Sequence, residues 1–139
     1  MKKMNKKGFT IVELVIVIAV IGILATVLIP TFSSVIEKAN DNAAMQEARN
    51  ALTLVLADQK DGALDSATIR VGNYTFTYDG QLSEGVKEEN FTEPTDGYEV
   101  TGYAADVTIY ISDADAAQVD QTNATYTDLT PVVDGGDEG

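Results

Sequence analysis

Lys6-Lys7-Gly8-Phe9-Thr10-Ile11-Val12-Glu13-Leu14-Val15-Ile16-Val17-Ile18-Ala19-Val20-Ile21-Gly22-Ile23-Leu24-Ala25-Thr26-Val27-Leu28-Ile29-Pro30 is the stretch from which the rest of this 139-residue chain is read. From Phe9 to Ile29 run 21 residues, all apolar except Thr10, Glu13, Gly22 and Thr26. At ~1.5 Å rise per residue a helix of this length covers about 31 Å, enough to cross the hydrocarbon core of a bilayer. One carboxylate, Glu13, sits near its start. An ionised group at the bilayer centre costs at least ~2.5 kcal/mol, so Glu13 asks for a partner.

A secretory signal peptide and a plain membrane anchor both satisfy this hydropathy. The apolar run is longer than the ~7–15 residues of a signal-peptide core, and no small-x-small cleavage site follows it. A plain anchor has no need of Glu13 or of the Lys-Lys-Gly-Phe junction. The order is a basic leader, Gly8, Phe9-Thr10-Ile11-Val12-Glu13, an apolar run and Pro30. This order closely resembles the N-terminus of type IV prepilins and of the related pseudopilins of type II secretion and competence systems. The resemblance is confined to about residues 1–60, and within it every position of the pattern is filled. It implies a prepilin peptidase that cuts between Gly8 and Phe9 and N-methylates Phe9. It also implies an assembly role for Phe9 and Glu13, and helix bending at Gly22 and Pro30. The chain departs from many relatives in one respect: with no cysteine it cannot close its C-terminal region with a disulfide.

The formal charge of −13 hides an asymmetry. Four of the nine basic residues, Lys2, Lys3, Lys6 and Lys7, precede the expected cut; without them 5 basic and 22 acidic side chains remain, a charge of −17. Basic residues beside a span stay on the cytoplasmic side, which places the acidic remainder outside. A surface this acidic is a poor general ligand for nucleic acid, whose phosphates need Lys and Arg, and no direct nucleic-acid binding is expected. Histidine and cysteine are both absent, so no Ser-His or Cys-His nucleophile can be built, and no Gly-rich phosphate loop follows a strand. The chain reads as no enzyme.

Met1 to Gly8 is a polar leader too short to fold. Beyond Pro30 the helical pattern becomes amphipathic: Phe32, Val35, Ile36, Ala39, Ala43, Ala48, Leu52, Val55 and Leu56 recur near three and four, with a slip around Glu47. Nothing stops the helix before Asp61-Gly62, where glycine can cap it. Such a helix cannot be stable alone over its second half, so its apolar stripe must cover a sheet. Thr68 to Val71 and Tyr74 to Tyr78 read as a hairpin across Gly72-Asn73, with Ile69, Val71, Tyr74, Phe76 and Tyr78 on one face. Residues 81 to 97 read as an acidic connection with at most a short strand. Tyr98 to Tyr103 and Val107 to Ser112 form a second pair, and Val107, Ile109 and Ile111 face the core. Asp113 to Gln121 is a loop or a single helical turn, and Tyr126 to Val133 adds an edge strand.

Asp113, Asp115 and Asp120, or Asp134, Asp137 and Glu138, offer oxygens to calcium, a cation that major pseudopilins hold in a C-terminal loop. Neither cluster matches the twelve-residue calcium loop, so solvated acidic surface is the preferred reading and no cofactor is assigned. The triplets at Asn73, Asn90 and Asn123 fit the glycosylation pattern but are short enough to arise by chance.

The fold expected is α+β and type IV pilin-like. It comprises a leader (1–8), a transmembrane and polymerisation helix (9–30), its amphipathic continuation (31–62), an extracellular antiparallel β domain (63–133) and an acidic tail (134–139). The resemblance implies a filament subunit that begins as a single-pass precursor in the cytoplasmic membrane. Its partners would be copies of itself and other pilins, the prepilin peptidase, the membrane and an inner-membrane assembly platform. Two alternatives stay open: a pseudopilin of a secretion or DNA-uptake machine, and an anchored binding domain that never polymerises.

Overall fold

The computed structural model describes residues 8–60 and 64–131. The chain divides into two compact units, Met1–Ala39 and Asn40–Gly139. Helix α1 (Ile11–Ala57) contributes residues to both.

In the first unit, every large apolar side chain from Phe9 to Ile36 is exposed. The helix meets the length and composition needed to cross a membrane. It continues unbroken through Gly22 and Pro30. Proline leaves the carbonyl of residue 26 without its amide donor, and the hydroxyls nearby turn inward onto other carbonyls. The hydroxyls of Thr26, Thr31, Ser33 and Ser34 donate to the carbonyls of Ile23, Val27, Ile29 and Thr31 at 2.6, 3.0, 3.2 and 2.9 Å. Each polar side chain is thereby satisfied by its own helix, as an apolar surround requires.

In the second unit, α1 buries Ala44, Ala48, Ala51, Leu52 and Val55, spaced four, three, one and three apart. The expected stripe named Ala43, but Ala44 is the buried residue, and Phe32, Val35 and Ile36 are exposed. The reason is helical phase. At ~100° per residue Phe32, Val35, Ile36, Ala39 and Ala43 cluster on one side of a helical wheel, while Ala44, Ala48, Ala51 and Val55 cluster on another. The slip near Glu47 is the seam between two stripes. The second stripe begins with three alanines, which lets backbone and sheet approach closely.

The sheet has six antiparallel strands in the order β3-β2-β1-β5-β4-β6. They are β1 (Ala67–Val71), β2 (Tyr74–Tyr78), β3 (Val86–Lys87), β4 (Tyr98–Thr101), β5 (Val107–Ile111) and β6 (Thr125–Asp128). The hairpin register pairs Val71 with Tyr74 and Ile69 with Phe76, as the alternation predicts. Gly72 adopts φ 57°, the left-handed conformation such a turn needs. Ile69, Phe76, Val100 and Ile109 are almost fully buried together with Val55 and Val119. Burial of each large apolar side chain is worth about 1.5–3 kcal/mol, and these hold the unit together.

The opposite face is lined by Thr68, Arg70, Thr75, Thr77, Thr108 and Tyr110. Tyr110 is buried even so, because Phe91 from the long connection stacks on it at 5.6 Å and Arg70 lies 4.3 Å over the Phe91 ring. The connection is therefore pinned to the sheet. Gly97 ends it at φ 86°, and a Cβ there would collide with the Ile111 carbonyl oxygen.

Strands β1, β4 and β5 lie within two residues of the ranges read from sequence, and the larger differences are at the end of α1 and in β6. The helix ends at Ala57 rather than near Asp61-Gly62, because the chain leaves it to make an antiparallel bridge between Gln59 and Val119. Of the two readings of Asp113 to Gln121 the helical turn is the one formed, as α2 (Asp113–Ala117), capped by Ser112. The edge strand spans Thr125–Asp128 and pairs with β4; it starts one residue earlier than expected and does not continue through residues 129–131. Gly62, residues 132 and 133 and the tail from Asp134 lie outside the described residues.

Candidate assembly site

The start of α1 is closed by its own side chains. The Thr10 amide donates to Glu13 Oε2 at 3.1 Å, and the Glu13 amide donates to Thr10 Oγ1 at 3.2 Å. This is a capping box, in which the first and fourth residues of a T-x-x-E sequence satisfy each other's orphan amides. The carboxylate also sits at the positive end of the helix dipole, where negative charge is favoured. Thr10 is the residue that the sequence reading missed. The signal was available, since Thr10-Ile11-Val12-Glu13 followed by an apolar run is the capping-box pattern.

Glu13 therefore has a partner within its own chain, on one oxygen. Its Oε1 makes no hydrogen bond among the described residues. Phe9, immediately before the capping pair, is 87% exposed. A Cβ built on Gly8 meets no atom within 4 Å, and the same holds at Gly22. Neither position needs glycine for space in this chain.

The acidic residues singled out near the C-terminus are used locally. Asp115 is buried, and its two oxygens accept the Asp65 amide at 2.8 Å and the Ser112 hydroxyl at 2.6 Å. Asp120 Oδ1 accepts both the amide and the hydroxyl of Thr122, at 3.1 and 2.9 Å. Those bonds hold the Asp120 carboxyl below its usual range. Asp113 is exposed in the first turn of α2. Among the described residues no group of three or more His, Cys, Asp or Glu is gathered to hold a metal ion. The structure does not bring Asp113, Asp115 and Asp120 together as one ligand set.

Comparison with known proteins points to the same segment. Residues 3–29 match the family described as the prokaryotic N-terminal methylation motif. The chain is 38% identical over 78 residues to a fimbrial protein of Moraxella nonliquefaciens, covering 50% of this chain and 51% of the relative. It is 41% identical over 63 residues to a type IV major fimbrial protein of Dichelobacter nodosus, covering 43% and 40%. It is 60% identical over 37 residues to the type IV wide pilus major component of Thermus thermophilus, covering 27% and 28%. The chain spans about half, or less, of the length of these relatives. No solved structure matches it. The motif and the fimbrial relatives are alike in where they match, the N-terminal part of the chain.

Proposed function

We propose that this chain is a structural subunit of a type IV pilus or pilus-like filament, anchored by α1 before assembly and polymerised through it afterwards. The observation that carries this reading is the bare apolar helix. From Phe9 to Ile29 every large apolar side chain is exposed among the described residues. In lipid they are solvated, but outside it each would cost about 1.5–3 kcal/mol in contact with water. A helix that leaves the bilayer must be covered by others like it. Packing the same surface head to tail, copy after copy, is a heterologous and open assembly, which is a filament.

Glu13 supplies the register. Cleavage between Gly8 and Phe9 would create an ammonium at Phe9, four residues before a carboxylate that already holds its own helix start through one oxygen. In this reading the other oxygen would receive the Phe9 ammonium of a neighbouring subunit. In an apolar core each charge alone is penalised, and the pair offsets that cost. The peptidase that cuts at Gly8, the membrane platform that delivers subunits and other pilins are the partners this route requires. That the relatives are a fimbrial protein and a pilus component favours a pilus over a secretion pseudopilus.

The test is the full chain carrying Glu13→Ala, expressed alone and together with wild type. Processing at Gly8 should persist and membrane insertion should be undiminished. Sheared surface filament should be lost from the variant alone and partly recovered in the mixture. A normal filament yield from processed Glu13→Ala would refute the pairing.

A further inference from the structure

Asp58 follows the last residue of α1 and gathers five hydrogen bonds from distant parts of the second unit and from the helix itself. Its amide is shared between the carbonyls of Leu54 and Val55 at 3.2 and 3.1 Å, and its own carbonyl accepts the Asp120 amide at 2.7 Å. Its carboxylate is used on both oxygens: Oδ2 accepts the Tyr103 hydroxyl at 2.6 Å and Oδ1 accepts the Asn123 side-chain amide at 2.9 Å. Tyr103 lies in the connection between β4 and β5, and Asn123 in the loop between α2 and β6.

The network reaches β6 by one more step. The hydroxyls of Tyr103 and Tyr126 are 3.1 Å apart. Tyr103 has a single hydroxyl proton and gives it to Asp58, so Tyr126 is the donor to Tyr103. The result is a directed chain, Tyr126 to Tyr103 to Asp58, ending on a carboxylate. Hydrogen bonds to an ionised acceptor are the strong ones, and each link polarises the next. Burial, with the Asp58 and Tyr126 contacts, pushes the Tyr103 hydroxyl well above its usual range, which keeps the proton in the chain.

The need for such a device follows from the topology. β6 is an edge strand, joined to the sheet by β4 alone and by the Leu129 amide on the Gly97 carbonyl at 2.9 Å. It follows a loop of residues 118–124 with no regular structure beyond the Gln59–Val119 bridge. The chain has no cysteine, so no covalent tie holds this end.

We infer that Asp58 is the clamp that closes the C-terminal end of the domain, fixing residues 118–124 and β6 to the end of α1. The inference does not depend on filament assembly, and its failure would leave that reading untouched.

Amide hydrogen exchange of the full chain in detergent micelles, read by mass spectrometry, tests it. In Asp58→Ala, residues 119–128 should exchange at least about tenfold faster, while β1, β2 and β5 keep their protection. Tyr103→Phe preserves the ring and the fold, and removes only the two hydroxyl links. It should loosen residues 125–128 but leave 119–123 protected, because Asn123 still reaches Oδ1. Unchanged exchange at residues 119–128 in both variants would overturn the clamp. So would an equal acceleration across all six strands, which would make Asp58 a general stability residue.

Discussion

Thr10 and Glu13 close the start of α1, and the further role proposed for Glu13 can be separated from that cap. Glu13 caps its own helix through Thr10, and in the proposed filament it also receives a neighbour's ammonium. Gln can replace Glu in a capping box but carries no charge. Glu13→Gln should therefore keep the helix start that Glu13→Ala gives up, a difference of about 0.5–2 kcal/mol if it matches other caps. Both variants should lose filaments alike. Filament yield near wild type for Gln but not for Ala would assign Glu13 to capping alone. At this scale the sequence was readable for Glu13, whose charge in an apolar run demands explanation. Thr10 is legible only when taken with Glu13 three residues on, as the first member of a capping box. Asp58 and Tyr103 could not have been paired from sequence, since 45 residues separate them and nothing local marks either.

The elements were legible where periodicity is strict. The β1–β2 hairpin follows from alternation about a glycine turn and the β4–β5 pair from alternation with Val107, Ile109 and Ile111 inward, and the strands pair accordingly. The helix is harder, because its two apolar stripes are out of phase and a single template fitted to both places Ala43 where Ala44 belongs. The end of α1 was misplaced for a related reason: the Gln59–Val119 bridge that ends it is a long-range pairing with no local signature. The alanines of the second stripe make a sharp prediction. Ala48 and Ala51 are fully buried against the sheet. Ala48→Leu must force the helix outward or its neighbours off their rotamers, at a cost of about 1–3 kcal/mol. The cooperative loss of strand signal on heating should shift down by several degrees, whereas Ala43→Leu, on the exposed side, should leave it in place. Equal effects at the two positions would contradict the phase described for α1.

For the molecule as a whole, tyrosine links stability to pH. Burial raises the hydroxyls of Tyr103, Tyr110 and Tyr126 above their ordinary range, three of the six tyrosines in the chain. Their protonated forms are favoured by folding, so the stability they contribute is present below the unfolded value near ~10 and is lost as pH rises above it. The domain in micelles should show a constant melting temperature up to about pH 9 and a falling one beyond ~10, with part of the tyrosinate absorbance arriving only on unfolding. A melting temperature that holds or rises through that range would contradict it. The central claim, that a bare apolar helix makes this chain a filament subunit, is tested most directly by the intact mass of the chain in filaments sheared from the cell surface. The account predicts that the chain is present there and begins at N-methylated Phe9. A chain absent from that fraction and held in the membrane with Met1 to Gly8 still attached would contradict it.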